Sequence, residues 1–287
     1  MTNPTLLVTG AGGAVGRRLR ARLDGDGYDA SYVLRSGADA QPGDPAVDVA
    51  DITDAERLSA IVERRRPDAI IHLAAVTGAA CDDDPERAHA VNVEAVRSLA
   101  QISVAAGVTR LVLASTSAVY GDQYDAPITE SGPLALASRY AEHKREAEVI
   151  LEAASRRSAS LSAVALRIFN VFGPGMRQSL ANRLEASTPD APVQLAGLDG
   201  FIRDYVHVDD VADALVRAAV SPLPDPWTII NVGTGRPTTN RELLAALQPV
   251  SYVTGTPRAS YSCADVAVAR RLLEFTASRP LNRATVS

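Results

Sequence analysis

The chain has 287 residues, with 29 basic against 34 acidic side chains and a formal net charge of −5. Charges of both signs are interspersed, which argues against a nucleic-acid surface. Two cysteines without metal-ligand spacing argue against a disulfide framework and indicate a cytoplasmic protein. No stretch approaches the roughly twenty apolar residues that a membrane helix needs, so we expect no membrane contact.

Apolar runs predict strands at residues 5–9, 30–34, 69–74, 110–114 and 162–168, separated by helical segments at 14–23, 55–66, 85–106 and 139–153. Strands that alternate with helices are typical of an α/β fold with a doubly wound parallel sheet, the Rossmann architecture. After Asn170 the pattern loosens into Pro, Gly and short helices. We therefore predict a Rossmann domain over 1–169. Residues 170–287 are predicted to form mainly a smaller C-terminal lobe, interleaved with late elements of that sheet.

A glycine cluster, Thr9-Gly10-Ala-Gly12-Gly13-Ala-Val-Gly16, follows the first strand and opens the first helix. Glycines at 10, 13 and 16 allow a sharp turn that brings the helix N-terminus against a pyrophosphate. The alternative is a bare tight turn between strand and helix. Dinucleotide-binding loops of this kind follow a strand and open a helix, as this cluster does, so its context favours dinucleotide binding.

The end of the second strand, Val33-Leu34-Arg35-Ser36, carries no carboxylate. In Rossmann domains an acidic residue there binds the ribose 2′-hydroxyl, whereas arginine accommodates a 2′-phosphate. Arg35 therefore predicts NADP as cofactor, with NAD as the alternative, unless Arg35 is merely solvated. Asp51, beside Ile52, either faces the adenine or caps the helix that begins near Asp54.

Lys144 is the single lysine of the chain, and it follows Tyr140 by four residues. Residues four apart share one face of a helix, and a neighbouring ammonium stabilises a phenolate. We therefore expect the pKa of Tyr140 to be lowered and the phenol to act as an acid or base. Arginine does not replace lysine where a compact ammonium is needed. The alternative is a Tyr/Lys pair on the surface of an amphipathic helix.

Further segments agree with these motifs along almost the whole chain. They are His72-Leu-Ala-Ala75, Ala90-Val-Asn-Val-Glu94, Ser115-Thr-Ser-Ala-Val-Tyr-Gly121, Leu166-Arg-Ile-Phe-Asn-Val-Phe-Gly-Pro174, Arg203-Asp-Tyr-Val-His-Val-Asp-Asp210 and Asn231-Val-Gly-Thr-Gly235. With the glycine loop, Asp51-Ile52 and Tyr140-Ala-Glu-His-Lys144, they make the chain resemble an extended short-chain dehydrogenase/reductase. Within that group it is similar to the NAD(P)-dependent nucleotide-sugar epimerase/dehydratase family.

The resemblance implies that Tyr140 is the catalytic acid/base, that Lys144 holds the nicotinamide ribose, and that the Thr116 hydroxyl binds the reacting oxygen. With Arg35 and Ser36 added, the expected cofactor site comprises Gly10, Gly13, Ala14, Val15, Gly16, Arg35, Ser36, Asp51, Ile52, Leu73, Ala74, Ala75, Tyr140 and Lys144. The expected substrate site comprises Thr77, Thr116, Asn170, Arg203 and Arg258. In it Asn170 faces a diphosphate, and the planar fork of Arg203 pairs with a phosphate.

Two other side chains are predicted to have structural roles. Asn92, on the long helix, is expected to organise backbone, and His72 to be a core histidine with its hydrogen bonds satisfied. None of the four histidines has a metal-ligand partner at suitable spacing, so no metal is expected.

Two departures from the family pattern bear on the reaction. Dehydratases of this group carry Thr-Asp-Glu at the position where this chain has Thr116-Ser117-Ala118. Since the two added carboxylates perform the water elimination, their absence here argues against dehydration. The Arg-x-Gly-Asp stretch that often precedes Ala-Asp in the family is missing before Ala264-Asp265.

Because NADPH suits net reduction, we expect an NADP(H)-dependent 4-ketoreductase of a nucleotide-activated 4-keto-sugar. The alternative is an NAD(P)-dependent nucleotide-sugar 4-epimerase, which removes a hydride and returns it to the other face. A non-catalytic dinucleotide-binding regulator is disfavoured because Tyr140 and Lys144 are both present. The expected partners are the nucleotide sugar and a second copy of the chain, docked through the two long helices of the Rossmann domain.

Overall fold

A computed structural model describes residues 4–36 and 44–286. Its centre is a seven-stranded sheet of β1 (Leu6–Thr9), β2 (Ala30–Leu34), β3 (Val47–Val49), β4 (Ala69–His72), β5 (Arg110–Thr116), β6 (Ser162–Ile168) and β11 (Trp227–Val232). Every neighbouring pair is parallel, and the strand order is β11-β6-β5-β4-β1-β2-β3. The predicted doubly wound parallel sheet is confirmed.

The central strands are apolar on both sides because helices cover both faces of the sheet. Successive residues of β1 enter opposite cores: Leu6 and Val8 pack on one face and Leu7 on the other. One face is covered by α1 (Ala14–Gly25) and α8 (Val208–Val220). The other is covered by α2 (Ala55–Arg65), α5 (Ala95–Ala106) and α6 (Arg139–Arg157).

The helix predicted over 85–106 is present without a gap, and it contains a π-helical turn. After α3 (Ala80–Asp83) the chain forms α4 (Pro85–His89), a π-helical turn (Ala90–Glu94) and then α5. A π-helical turn inside a helix often marks a functional site. Strand β4 also ends earlier than predicted, at His72, because residues 73–75 leave the sheet to line a cleft.

The remaining elements build a smaller lobe. Its strands are β7 (Asn170–Phe172), β8 (Val193–Leu195), β9 (Phe201–Arg203), β10 (Tyr205–His207), β12 (Thr238–Thr239), β13 (Tyr252–Thr254) and β14 (Ser260–Ser262). Its helices are α7 (Leu180–Glu185), α9 (Asn240–Leu247), α10 (Ala267–Leu273) and α11 (Arg283–Val286). Strand β11 and helix α8 return from this half of the chain to the main sheet. The division at residue 169 stays a prediction.

No helix in the described ranges is both long and apolar enough to span a membrane.

Candidate active site

The glycine loop lies between the end of β1 and the start of α1. Gly10 has a φ of +74°, and a Cβ there would lie 2.5 Å from the backbone nitrogen of Ala74. Gly13 is the N-cap residue of α1, and in the described part of the chain no side chain caps that first turn. Its backbone N–H groups are therefore left for an anion, as a pyrophosphate requires.

A cleft opens beside this loop, at the carboxyl ends of β1, β2 and β4. It is lined by Gly10, Gly12, Gly13, Val33, Arg35, Ser36, Ala50, Asp51, Ile52, Leu73, Ala74, Ala75, Val76, Arg87 and Val91. The structure thus brings together the predicted residues from the loop, the end of β2, the Asp51-Ile52 pair and the Leu73-Ala74-Ala75 trough. The shape and the bare glycine loop fit a dinucleotide.

Three predicted cofactor residues, in the first turn of α1, are not among the described residues that line this cleft. Val15 packs against the core on the α1 face of the sheet, and Ala14 begins the helix. At Gly16 an added Cβ would lie 2.5 Å from the Gly10 carbonyl oxygen, so this glycine allows close packing of helix and loop.

Asp51 forms a cluster with Arg87, which the sequence did not suggest as a site residue. One Asp51 oxygen accepts from the backbone N–H and the hydroxyl of Thr53, and the other accepts from Arg87 at 2.6 Å. These hydrogen bonds, led by the Thr53 N–H, lower the pKa of Asp51 to about 2. The cap of α2 is Asp54, so the alternative role for Asp51 as that helix's cap is wrong.

The three predicted catalytic residues come from β5 and α6, which pack together. Lys144 is only 2% exposed, and its Nζ donates to the carbonyl oxygen of Ala114 at 2.8 Å. The same Nζ lies 5.8 Å from the ring centroid of Tyr140. Thr116 ends β5, and its Oγ1 accepts from the N–H of Ala118. A surface Tyr/Lys pair, the alternative considered from the sequence, is excluded by this burial.

The expected lowering of the tyrosine pKa is wrong for the structure as it stands. Burial raises the pKa of Tyr140 above its ordinary value, with a smaller contribution from Cys81. Burial also lowers the pKa of Lys144 to about 8, against the opposing charge of Glu148. The ammonium lies over the ring and donates to Ala114, so desolvation of the phenolate outweighs its attraction to the lysine.

A buried polar network supports the end of β5. Glu148, on α6, accepts from the hydroxyl of Ser115 at 2.6 Å and from Arg167 at 2.7 and 3.0 Å. Arg167 also donates to the hydroxyl of Tyr120, which in turn donates to Asn231. Each of these partners is buried, and together they fix the strand that carries Thr116.

Asn92 and His72 lie under the cofactor cleft. The side chain of Asn92, from the π-helical turn, bonds both the N–H and the carbonyl of Val76, so its predicted backbone role is confirmed. His72 is only half satisfied, which corrects the expectation. Its Nδ1 pairs with Thr9 Oγ1 at 2.7 Å, while Nε2 has no partner among the described residues. Burial lowers the pKa of His72 to about 3, so the ring is neutral.

A second cleft lies in the smaller lobe. It is lined by Asn170, Val171, Met176, Gln178, Ser179, Leu180, Arg183, Gln194, Leu195, Ala196, Phe201, Arg203, Tyr205 and Asn240. The Arg203 guanidinium stacks over the ring of Phe201 at 3.9 Å, and the Asn170 amide donates to the Asp204 carbonyl.

Two other predicted substrate residues lie elsewhere. The Arg258 side chain is 66% exposed and pairs with Asp122. Thr77 is exposed on the connection between β4 and α3. The described residues contain no group of three or more His, Cys, Asp or Glu side chains suited to a metal ion.

The family model and the relatives that match this chain indicate the same family. The model of the NAD dependent epimerase/dehydratase family matches residues 6–233. The UDP-glucose 4-epimerase of Mycolicibacterium smegmatis is 36% identical, over 84% of this chain and 80% of that protein.

Two further relatives cover nearly the whole chain. The dTDP-6-deoxy-L-talose 4-dehydrogenase (NAD(P)(+)) of Kitasatospora kifunensis is 30% identical, over 96% of this chain and 92% of its own length. The structure of MoeE5 in complex with UDP-glucose and NAD superposes with a TM-score of 0.83 at 30% identity, covering 98% of this chain and 97% of that one.

Proposed function

Because the chain belongs to the NAD dependent epimerase/dehydratase family, we propose that it is a nucleotide-sugar 4-epimerase. The observation that carries this proposal is the Lys144 ammonium, held by Ala114 on the strand that ends at Thr116 and lying over the Tyr140 ring. The UDP-glucose 4-epimerase relative favours epimerisation over the net reduction that Arg35 led us to expect.

The chemistry is divided among three side chains of this chain. Tyr140 holds a proton in the free protein, because burial raises its pKa, and can give that proton to a keto oxygen at C4 of the sugar. In the opposite direction Tyr140 acts as a phenolate, after losing its own proton, and accepts the proton of the C4 hydroxyl while the hydride leaves C4; that proton returns to the keto oxygen when the hydride returns. Thr116 hydrogen-bonds the same oxygen, and Lys144 supplies positive charge beside it. A bound nicotinamide would supply the reversible hydride acceptor, held along the cleft from Gly10 to Ala75.

The cofactor we propose is NAD, as in the MoeE5 complex. A second candidate function keeps the original expectation: an NADP(H)-dependent 4-ketoreductase. It is supported by Arg35, which lines the cofactor cleft, and by the 4-dehydrogenase relative, whose name, with NAD(P)(+), admits NADP as well as NAD. Dehydration is not proposed, because Thr116-Ser117-Ala118 lacks the carboxylates for water elimination.

The substrate we propose is a sugar carried on a nucleoside diphosphate. The second cleft offers Arg203 for a phosphate and Asn170 beside it, while apolar Leu195 and Phe201 can face a base or a sugar ring. Arg258 lies outside that cleft, but it is linked to Arg203 because Asp122 forms an ion pair with both arginines.

We further propose a homodimer through α5 and α6. These helices form an open groove lined by Ala100, Val104, Ile150 and Ala154. Val104 and the neighbouring Val149 are 41% and 46% exposed, which is high for large apolar side chains. A cytoplasmic location stays a prediction from the cysteine content.

The test uses the purified protein without added cofactor. An epimerase should convert UDP-galactose to UDP-glucose, detected by nuclear magnetic resonance, and should release NAD or NADH on denaturation. The variant Tyr140→Phe should abolish conversion while the dinucleotide remains bound. Consumption of NADPH with a 4-keto nucleotide sugar, without conversion of UDP-galactose, would support the ketoreductase instead.

A further inference from the structure

We propose that Asp122 is an internal counter-ion of the substrate site. It neutralises Arg203 and Arg258 in the free protein, and the diphosphate of the substrate must displace it. The inference rests on the proposed function, since it concerns how the same site receives a nucleotide sugar. It makes Asp122 a residue that sets affinity for the diphosphate.

The carboxylate of Asp122 is shared between the two arginines. Oδ1 lies 3.2 Å from a terminal nitrogen of Arg203, and Oδ2 lies 2.6 Å from one of Arg258. Two guanidinium groups joined by one carboxylate form the arrangement that also suits a bridging phosphate or diphosphate. Asp122 thus occupies the position of an anion between the two cations that the substrate site offers.

The main chain fixes Asp122 in this position. Gly121 has a φ of +69°, and a Cβ there would lie 2.8 Å from the carbonyl oxygen of Ala135. On the other side, Gln123 forms a parallel bridge with Tyr261 of β14, and β14 pairs with β9, which ends at Arg203. Backbone pairing therefore holds the main chain of Asp122 close to Arg203, within reach of the carboxylate.

The charges explain what the contact does. The Arg203 side chain is 13% exposed, and burial lowers its pKa, with the charge of Asp122 opposing that effect. In the free protein, Asp122 thereby stabilises the charged form of Arg203 and holds its guanidinium in place. An anion that binds both arginines regains this charge compensation, but it must first separate them from Asp122. Binding of the diphosphate is weakened by that exchange, and its release is favoured.

The experiment compares Asp122→Asn with wild type by isothermal titration calorimetry, using UDP and uridine at low salt. Loss of the competing charge should tighten UDP binding about three- to tenfold, and the gain should shrink as salt is added. Uridine has no phosphate, so its affinity should not change. The matched control is Asp199→Asn, which breaks the exposed pair with Arg241 and should leave both affinities unchanged.

Two further measurements separate the possible failures. In Asp122→Asn combined with Arg258→Gln, the gain in UDP affinity should be lost, because one of the released cations is gone. Inorganic pyrophosphate tests the anion site without a nucleoside. If no UDP binding is found but pyrophosphate binds more tightly to Asp122→Asn, the nucleotide-sugar proposal fails and the counter-ion role stands. Unchanged or weaker binding of both ligands overturns that role, with Asp122→Ser as a second variant should the first not fold.

Discussion

Lys144 and Ala114 are joined by a hydrogen bond of 2.8 Å from the lysine ammonium to the main-chain carbonyl oxygen. The bond runs from helix α6 to strand β5, two residues before Thr116. The position of the ammonium is therefore set by the central sheet. Every other residue that carries a full positive charge at pH 7 is an arginine, whereas this buried position beside the Ala114 carbonyl suits the compact ammonium of lysine.

The variant Lys144→Arg should be poorly active although it keeps the charge. The longer planar guanidinium cannot take the position of Nζ at the Ala114 carbonyl without moving Tyr140 or the strand. We expect a loss of about 10²-fold or more in turnover, the lower range for removing a positioned acid–base group. Initial rates at saturating substrate measure it, and near-normal turnover would show that the lone lysine has no special role.

Dinucleotide affinity should fall as the pH rises from 7 to 9. Burial lowers the pKa of Lys144 from its ordinary value of 10.5 to about 8. Its protonated fraction therefore drops from about nine-tenths to about one-tenth over this range, and affinity should fall about tenfold if only the ammonium form holds the ribose. Fluorescence titration with NADH measures the effect. In Lys144→Gln the affinity should be lower throughout and nearly independent of pH.

Thr116 should act through its hydroxyl and not through its bulk. Thr116→Ser should keep most activity, whereas the nearly isosteric Thr116→Val should lose it about 10²-fold, as other losses of a transition-state hydrogen-bond donor do. Valine also leaves the Ala118 N–H without its acceptor, so unfolding measurements must show that the fold survives. Equal activity of valine and threonine would move the catalytic hydroxyl to Ser115 or Ser117.

Arg35→Ala tests the choice of cofactor. If the guanidinium pairs with a 2′-phosphate, the variant should bind NADP about ten- to hundredfold more weakly while NAD affinity changes little. Titration of each dinucleotide gives both values. An equal loss for the two dinucleotides, or none, would leave Arg35 as a solvated residue at the cleft edge and remove the main support for a ketoreductase.

Glu148→Gln should destabilise the fold strongly. It leaves Arg167 buried without its charge partner, and breaking a buried ion pair from one side costs about 3–5 kcal/mol. Urea denaturation measures the free energy of unfolding. The control is Glu152→Gln on the same helix, whose pair with Arg156 is solvent-accessible and should be worth less than about 1 kcal/mol. Equal losses would contradict a structural role for the buried network.

The sequence was most informative where one local segment determines the structure. The apolar runs predicted the parallel sheet, and the glycine loop predicted the backbone geometry that Gly10 adopts against Ala74. Contacts between residues far apart in the sequence could not be predicted in this way. Arg87 meets Asp51 from 36 residues away, and Asp122 meets Arg258 from 136 residues away, so neither pair has a local pattern.

The prediction that the pKa of Tyr140 would be lowered was wrong for a different reason. Sequence spacing gives a neighbouring charge but not the amount of water removed, and burial reversed the expected direction. The same applies to His72, whose strand position predicted a buried ring but not the Nε2 atom left without a partner among the described residues.

Because the chain has a single lysine, chemical modification of that residue can report on opening of the fold. Apart from the chain's amino terminus, Lys144 is the one group that acylating reagents for primary amines can modify. Because its side chain is buried, the reagent reaches it when α6 separates from β5, so the rate of acylation measures how often that part of the fold opens. Mass spectrometry of one peptide would then record conformational opening, and protection by a bound nucleotide, without any introduced label.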